Sequence, residues 1–189
     1  MSLTRPSLSE ALSRSDIVFD AATIAEAVKE MAVEIAEEYR NDPVAPLFIT
    51  IMHGGMPFAA ELAMALGDEA LDVEFEYLHA TRYRGETSGG SRLAWLHRPQ
   101  TSLRDRRVLL VDDILDEGHT LLAVKHWCED QGAADVKVAV ATVKKHDRRV
   151  EGIEADFVGL EVPDAYVFGY GMDYHEQGRN LRAIFALRN

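Results

Sequence analysis

Residues 108–121, with the sequence VLLVDDILDEGHTL, combine an apolar run with four carboxylates, a glycine and a threonine. The run at 108–111 predicts a buried strand that delivers Asp112 and Asp113 to the carboxyl edge of a sheet. The turn at 116–120 then opens a helix, whose free N–H groups and positive dipole end favour an anion such as phosphate. Carboxylates accept hydrogen bonds from neutral hydroxyls instead. A sugar phosphate therefore fits both halves of the motif.

Within this turn, Gly118 lets the backbone approach a ligand closely, and Thr120 offers a hydroxyl donor. Asp116 lies between the two halves, where it can face the reacting end of the sugar. The turn is not a Walker loop, because the lysine of GxxxxGK[ST] is absent. The plainer alternative is a solvated acidic turn in which Asp113 or Asp116 caps the helix. A signalling receiver domain also has acidic residues directly after an apolar strand. Receivers have them near the start of the domain, however, and the 78 residues after Val111 are too few for what should follow.

The rest of the chain alternates helical and strand patterns, which favours an α/β fold with a mostly parallel twisted sheet flanked by helices. A capping-box pattern at Thr23 and Glu26 predicts the start of a helix that runs to about Tyr39. Further helices are predicted from Pro57 and over 120–130. Strands are predicted at 47–52, 73–78, 108–111 and 136–143, as two short runs within 155–170, and as an edge strand at 181–187.

The length of 189 residues predicts a single domain. Residues 1–19 are expected to form a loose N-terminal arm. Residues 82–106 are rich in Gly, Ser, Thr and Arg, with one short apolar patch, and predict a mobile active-site loop.

The formal net charge of −12 argues against a nucleic-acid partner and requires local cations or a divalent metal wherever an anion binds. We expect no membrane partner, because no apolar run is long enough to span a bilayer. The N-terminal residues lack the apolar core of a secretory signal, and one cysteine, Cys128, leaves no intrachain disulfide, so we expect the cytoplasm. His119 and His126 lack the companions of a zinc site, and none is predicted.

Three segments carry a resemblance to a known family. VLLVDDILDEGHTL resembles the PRPP-binding motif of type I phosphoribosyltransferases. ITIMHGGMPFAAEL, residues 49–62, resembles the pyrophosphate-contacting glycine loop of that family. VPDAYVFGYGMDYHEQGRNL, residues 162–181, resembles the base-binding segment of the hypoxanthine-guanine phosphoribosyltransferases. Together they place most of residues 20–188 in the family layout, which adds a small hood formed by the terminal segments.

The resemblance implies a purine-salvage enzyme that joins hypoxanthine and/or guanine to PRPP, forming IMP or GMP and releasing pyrophosphate with the help of Mg²⁺. It also implies a homodimer or homotetramer. A xanthine-preferring enzyme remains open, since the groups that face purine C2 are not resolved by the sequence. A nucleotide-sensing RNA-binding regulator on the same fold also remains open, although it would need a basic face.

The resemblance assigns each motif a role. Asp116 is implied as the general base at purine N7, and Asp112 and Asp113 as ligands of the ribose hydroxyls or of Mg²⁺. The PRPP ribose and phosphate are assigned to Asp112, Asp113, Asp116, Glu117, Gly118, His119 and Thr120. Pyrophosphate is assigned to Met52, His53, Gly54, Gly55, Tyr83 and Arg179, with a cis peptide bond between Met52 and His53. The purine is assigned to Lys144, Tyr166, Val167 and Asp173, and the metal to Asp112, Asp113 and Asp173.

Four residues depart from the family pattern. Arg82 stands before Tyr83 in the mobile loop, where the family usually has serine. Glu117 replaces a usual Thr or Ser in the phosphate loop, and His119 replaces Lys, Gly or Arg. His53 stands where relatives often carry lysine, and it holds positive charge less reliably at neutral pH. The details of phosphate binding are therefore where this chain is expected to differ.

Overall fold

A six-stranded, mostly parallel sheet with helices on both faces forms the body of the protein, as predicted. The computed structural model describes residues 6–82 and 93–188. The strand order is β4-β3-β2-β5-β6-β7, and only β4 runs antiparallel to its neighbour. The helices are α1 (Leu8–Ser13), α2 (Ala21–Tyr39), α3 (Met56–Asp68) and α4 (His119–Asp130). The strands are β1 (Ser15–Phe19), β2 (Leu47–Ile51), β3 (Glu74–Arg82), β4 (Leu93–His97), β5 (Arg107–Leu115), β6 (Asp135–Lys144), β7 (Phe157–Val162), β8 (Val167–Phe168) and β9 (Ile184–Leu187).

Strand β5 shows why the central strands form a continuous apolar run. Leu109 is fully buried in the core on the side of α2 and α3, whereas Leu110 is fully buried in the core on the side of α4. Successive side chains of a strand point to opposite faces, so a strand covered on both faces must be apolar throughout. The carboxylates that follow lie beyond Val111, the last residue of β5 that pairs with β2, and the composition changes at this point.

The sheet opens between β2 and β5 at the predicted motif. The pairing of β2 with β5 ends at Thr50 and Val111, but β5 continues along β6 as far as the pair Leu115 and Val143. The chain also leaves β2 and β5 in opposite directions across the sheet, which makes this gap the point where strand order reverses. Ligands of open α/β sheets bind at such a point.

The chain termini form a second, three-stranded sheet with the order β1-β9-β8. The loose arm predicted for residues 1–19 is therefore wrong for residues 8–19, which form α1 and β1. The tail strand is central in this small sheet rather than an edge strand, since β9 pairs with β1 on one side and β8 on the other. The function of this sheet as a hood stays a prediction.

Two other boundaries differ from those predicted. Helix α2 begins earlier than the capping-box pattern indicated, because the side chain of Asp20 accepts the backbone N–H of Thr23 at 2.9 Å. Residues 82–106, predicted as a mobile loop, are not irregular throughout, because β4 lies within them and pairs with β3. The backbone N–H and the hydroxyl of Thr101 also both donate to the Glu76 carboxylate of β3. Residues 83–92, including Tyr83, lie outside the described residues.

No helix in residues 6–82 and 93–188 is long and apolar enough to cross a membrane.

Close backbone contact fixes the C-terminal segment against the open edge of the sheet. Gly171 has φ 101°, and a Cβ added there would lie 2.2 Å from the carbonyl oxygen of Gly54 and 3.0 Å from Cβ of Asp113. Only glycine tolerates both this backbone conformation and this approach. The loops after β2 and β5 and the segment after β8 are thereby held in contact.

The substitution Gly171→Ala is expected to lower the melting temperature by several degrees, because a methyl group forces the segment away from Gly54 and the positive φ is strained. The matched control is Gly67→Ala in α3, where an added Cβ meets nothing within 4 Å. That change should stabilise the protein by about 0.5–1 kcal/mol through helix propensity. Thermal denaturation of both variants tests the contact, and equal melting temperatures for the two would contradict it.

Candidate active site

One cavity of about 800 Å³ collects the loops that follow β2, β5 and β6 together with the segment after β8. Because these strands are parallel, their carboxyl ends meet at the same edge of the sheet. Of the predicted site residues, those that line the cavity are Met52, His53, Gly54, Asp112, Asp113, Asp116, Glu117, Gly118, His119, Thr120, Lys144, Tyr166, Val167, Asp173 and Arg179. Residues as far apart in the chain as Met52 and Arg179, 127 positions, are thus brought to one cavity.

The predicted phosphate loop ends in a helix without a side-chain cap. Gly118 is the N-cap of α4 in a left-handed conformation, φ 82°, and no side chain bonds the first turn. The alternative in which Asp113 or Asp116 caps this helix is therefore wrong. The first N–H groups of α4 remain directed toward the cavity, which suits an anion.

The two residues that depart from the family pattern in this loop face each other. His119 Nε2 lies 3.7 Å from Glu117 Oε2, and both side chains are partly exposed. The backbone carbonyl of Glu117 accepts the N–H of Val150 at 2.9 Å, which ties the loop to the segment after β6. The Glu117 carboxylate is thus balanced locally by an imidazole when that imidazole is protonated.

Asp112 and Asp113 lie at the opening between β2 and β5. Burial raises the pKa of the Asp112 carboxyl well above its ordinary value, and the neighbouring Asp113 carboxylate raises it further. Burial also raises the pKa of Asp113, although the hydrogen bond with Asp112 and the cation of Arg179 oppose that rise. The Asp113 carbonyl accepts the buried hydroxyl of Thr142 at 3.0 Å, which fixes the acidic pair to β6.

Arg179 bridges the C-terminal segment and the acidic pair. Its guanidinium donates to the Gly171 carbonyl and to Asp173 Oδ1, each at 2.7 Å, and lies 3.9 Å from Asp113 Oδ2. The second oxygen of Asp173 accepts the N–H of Glu176 at 2.8 Å. Asp173 thereby orients a cation that points into the cavity, where a pyrophosphate is expected.

The carboxylates suit a metal that arrives with its ligand rather than a closed metal cage. In the described part of the chain, no group of three or more His, Cys, Asp or Glu side chains is arranged to hold a metal ion. Mg²⁺ typically retains several waters and binds one or two carboxylates together with substrate phosphates. The Asp112 and Asp113 pair at the cavity wall fits that donor set.

The loop after β2 has the predicted cis peptide bond between Met52 and His53. A Cβ added at Gly54 would lie 2.2 Å from Asp113 Oδ2, so the bare backbone of this loop is packed directly against the acidic pair. Gly55, also predicted to contact pyrophosphate, lies behind the loop, where an added Cβ would meet the carbonyls of Ile51 and Val111 at 2.8 Å. Gly55 therefore supports the loop rather than lining the cavity.

A histidine pair flanks this loop. The rings of His53 and His79 are 4.4 Å apart between centroids in an edge-to-face arrangement. Burial lowers the pKa of His79, and the neighbouring His53 and Arg179 lower it further. The sequence analysis missed His79, although it lies near the carboxyl end of β3, the strand that borders β2.

Both carboxylate oxygens of Asp116 are bonded to basic side chains. Lys144 Nζ lies 2.5 Å from Oδ2 of Asp116, and His146 Nε2 lies 2.6 Å from Oδ1. Burial by itself would raise the pKa of Asp116, but the bonds from Lys144 and His146 outweigh it and hold that pKa below its ordinary value. The carboxylate is therefore ionised at neutral pH. His146 was missed, although an extended chain puts positions 144 and 146 on the same side.

The segment that resembles a base-binding region supplies the remaining wall. Tyr166 is 46% exposed, and its hydroxyl donates to the Asp173 carbonyl at 3.2 Å. The exposed ring is available to stack on a planar ligand. Val167 lies beside it in β8.

Comparison with known proteins agrees with this geometry. A family model described as the phosphoribosyl transferase domain matches residues 15–177. The hypoxanthine-guanine phosphoribosyltransferase of Bacillus subtilis (strain 168) is 35% identical over 161 residues, which cover 85% of this chain and 86% of the relative. The enzyme of the same name from Streptococcus pneumoniae (strain ATCC BAA-255 / R6) is 32% identical over 165 residues, 87% of this chain and 88% of the relative.

Solved structures show the same fold. A hypoxanthine phosphoribosyl transferase of Trypanosoma cruzi superposes with a TM-score of 0.85 at 32% identity, over 92% of this chain and 91% of that chain. A ternary substrates complex of the T. cruzi enzyme gives 0.84 at 34% identity, over 91% of this chain and 94% of that chain. The match of the family model, the identity to these relatives and the shared fold show that the chain belongs to the phosphoribosyltransferases, in the hypoxanthine-guanine phosphoribosyltransferase family.

Proposed function

We propose that the protein transfers the phosphoribosyl group of PRPP to hypoxanthine and/or guanine, forming IMP or GMP and releasing pyrophosphate. The observation that carries this proposal is the ion pair of Asp116 with Lys144. It shares one cavity with the uncapped start of α4 and with the loop after β2. A purine, a ribose 5′-phosphate and a pyrophosphate each find suitable partners among these three groups.

The PRPP end of the cavity is served by backbone groups and few cations. The N–H groups at the start of α4 and the hydroxyl of Thr120 hold the 5′-phosphate, and Asp112 and Asp113 accept hydrogen bonds from the ribose hydroxyls. The loop after Ile51 and the Arg179 guanidinium hold pyrophosphate. Mg²⁺, when bound with PRPP, neutralises charge on the leaving pyrophosphate. Glu117 and His119 belong to the phosphate loop, and Tyr83 is assigned to pyrophosphate by family resemblance.

At the purine end, Lys144 and Asp116 act together. Lys144 donates to the 6-oxo group, and Asp116 accepts the N7 proton as the N9–C1′ bond forms, which keeps the purine nucleophilic. Positive charge grows on the ribose ring in an oxocarbenium-like transition state, as in other glycosyl transfers. The nearby carboxylates of Asp112 and Asp113, once ionised, stabilise that positive charge.

Specificity follows from the donor at Lys144. Adenine presents an amino donor in place of the 6-oxo acceptor, so it would meet Lys144 donor to donor. Tyr166 stacks on the purine ring, and backbone groups of Val167 bond its edge. Asp173, which was also assigned to the metal, orients Arg179 from the same segment.

We further propose a homodimer or homotetramer located in the cytoplasm. A T. cruzi relative has been studied for the effect of its C-terminal region on oligomeric state. Phe75, Tyr77 and Leu96 on β3 and β4 are each more than 40% exposed, and exposed apolar side chains grouped in this way are typical of an interface.

Assays with hypoxanthine, guanine, xanthine and adenine, each with PRPP, test the activity directly. Nucleotide formation is expected with hypoxanthine and/or guanine, because both accept a hydrogen bond from Lys144, and EDTA should abolish it. Chromatography of the nucleotide products is the measurement. Reaction with adenine alone would contradict the assignment of Lys144, and a preference for xanthine would support the alternative specificity.

The substitution Asp116→Asn should reduce turnover about 10²-fold or more, because an amide cannot accept the N7 proton. PRPP affinity should change little, since most of the residues assigned to the phosphate and ribose are other than Asp116. Steady-state kinetics and PRPP binding by calorimetry provide the two measurements. Asp147→Asn, an exposed neighbour of the site, is the matched control and should retain wild-type turnover. Full turnover in Asp116→Asn would exclude the general-base role.

The raised pKa of Asp112 predicts a pH-dependent cost to stability. A folded-state pKa above the unfolded value means that the native state holds extra protons, so stability falls as pH rises through that pKa. Asp112→Asn removes this effect, and its melting temperature should exceed that of the wild type by a margin that grows from pH 5 to pH 8. The same variant should bind PRPP with Mg²⁺ more weakly.

Differential scanning calorimetry across that pH range is the measurement, with Asp68→Asn at the exposed end of α3 as the control. A margin that shrinks as pH rises would show that Asp112 is not held protonated by the fold.

A further inference from the structure

His146 lies behind the Asp116 carboxylate, outside the cavity that holds the predicted site residues. It follows the end of β6 by two residues, and its side chain is only 2% exposed. Its Nε2 lies 2.6 Å from Asp116 Oδ1, a distance typical of a hydrogen bond to a charged acceptor. The histidine is thus in contact with the proposed base while being shielded from solvent.

The other ring nitrogen determines which tautomer is present. The backbone N–H of Arg148 donates to Nδ1 at 3.0 Å, so Nδ1 is an acceptor and carries no proton. Nε2 must then carry the ring proton and donate it to Asp116, which makes His146 a neutral donor. Arg148 is itself fixed by a two-pronged bond to Asp164, at 2.8 and 2.6 Å, so the donor that selects the tautomer is held in place.

The two oxygens of Asp116 have different partners with different freedom. Oδ2 is bonded by Lys144, whose side chain lines the cavity in which the purine 6-oxo group is expected. Oδ1 is bonded by His146, whose side chain is 2% exposed and does not line the cavity of the predicted site residues. When Lys144 engages the purine, Oδ2 becomes available to the N7–H group, while Oδ1 keeps its partner.

We propose that His146 is a positioning residue for the transfer reaction: it orients the Asp116 carboxylate and keeps it ionised after Lys144 turns to the purine. The proposal rests on the proposed function. Without His146, the departure of Lys144 would leave a partly buried carboxylate without either donor, and such a group takes up a proton more readily. A neutral donor at Oδ1 opposes that uptake without adding a second cation beside the purine.

The charged groups around His146 come from three segments. Asp116 faces it from the loop after β5, and Lys144, Asp147 and Arg148 belong to its own segment. Asp164 faces it from the turn between β7 and β8, where it is paired with Arg148. Because Asp164 is paired with Arg148, Asp116 is the carboxylate that accepts the hydrogen bond of His146.

The experiment compares His146→Ala with His146→Gln in single-turnover nucleotide formation from pH 5 to pH 9. Gln carries a neutral N–H donor at a similar reach, whereas Ala carries none. We expect His146→Ala to slow the transfer step about 10-fold or more, with its acid limb moved to higher pH because Asp116 then keeps its proton longer. His146→Gln should restore much of the rate and move the limb back. The KM for PRPP should change little in either variant.

His126→Ala, which alters an exposed histidine of α4, is the matched control and should behave as the wild type. Wild-type rate and pH profile in His146→Ala would overturn the proposal. Equal slowing of both variants at every pH, with equal loss of thermal stability, would also overturn it, since that pattern indicates a purely structural histidine. If the wild-type protein itself formed no nucleotide, the proposed function would be overturned instead. The wild-type reaction therefore distinguishes the failure of the two proposals.

Nitrogen-15 spectra of the imidazole rings supply a readout that needs no turnover. The free protein should show His146 with a bare Nδ1 and a protonated Nε2 at neutral pH, and Asp116→Asn should shift the Nε2 signal. A His146 ring protonated on Nδ1 would overturn the proposal.

Discussion

The separation of β2 from β5 beyond Thr50 and Val111 is the constraint on which the rest of the site depends. Up to that point both strands are buried on two faces and share backbone hydrogen bonds, which fixes their separation at about 4.8 Å. Beyond it, β5 continues along β6 alone, and the space vacated by β2 becomes the cavity. Asp112 and Asp113 occupy the first two positions of β5 without a β2 partner, so their exposure to ligand is a consequence of sheet topology.

The same opening determines how the loops pack. A side chain at Gly54 would collide with the Asp113 carboxylate, and a side chain at Gly171 would collide with the Gly54 carbonyl. Three segments from distant parts of the chain therefore meet with little room for side chains. Close packing of backbone brings N–H groups to a phosphate ligand without the length and freedom of lysine side chains. Among the described residues, Lys144 and Arg179 are the Lys and Arg side chains that line the cavity of this protein of net charge −12, so backbone N–H groups are expected to carry much of the binding of an anionic substrate.

Charge in the cavity is arranged for the bound state rather than for the free protein. The acidic pair has raised pKa values because of burial, whereas Asp116 has a lowered pKa despite partial burial, since Lys144 and His146 bond both of its oxygens. Carboxylates with such opposite behaviour within one cavity are typical of sites that divide binding from proton transfer. The acidic pair suits a cation or a ribose, and Asp116 suits a proton acceptor.

Much of this could be predicted from local sequence, because the relevant signals are local. The apolar run at 108–111, the acids that follow it and the glycine at 118 predicted strand, sheet edge and turn, and family motifs with known order linked them to PRPP and purine. Periodicity did not predict β1, and it predicted the strand at 181–187 as an edge strand rather than the central one, since two short terminal strands are stabilised by pairing with each other across the length of the chain. The apolar patch that forms β4 was likewise hidden in a polar segment.

The side-chain partners were decided by tertiary structure alone. His146 and His79 lie in segments whose local sequence does not distinguish them from solvated histidines, and only the folded chain brings them to Asp116 and His53. The sequence by itself determined which chemical groups stand at the carboxyl edge of the sheet, because strand and turn signals depend on neighbouring residues. Tertiary structure decided which of those groups touch, because a hydrogen bond between positions 116 and 146 depends on the register of β5 with β6, and no local pattern encodes that register.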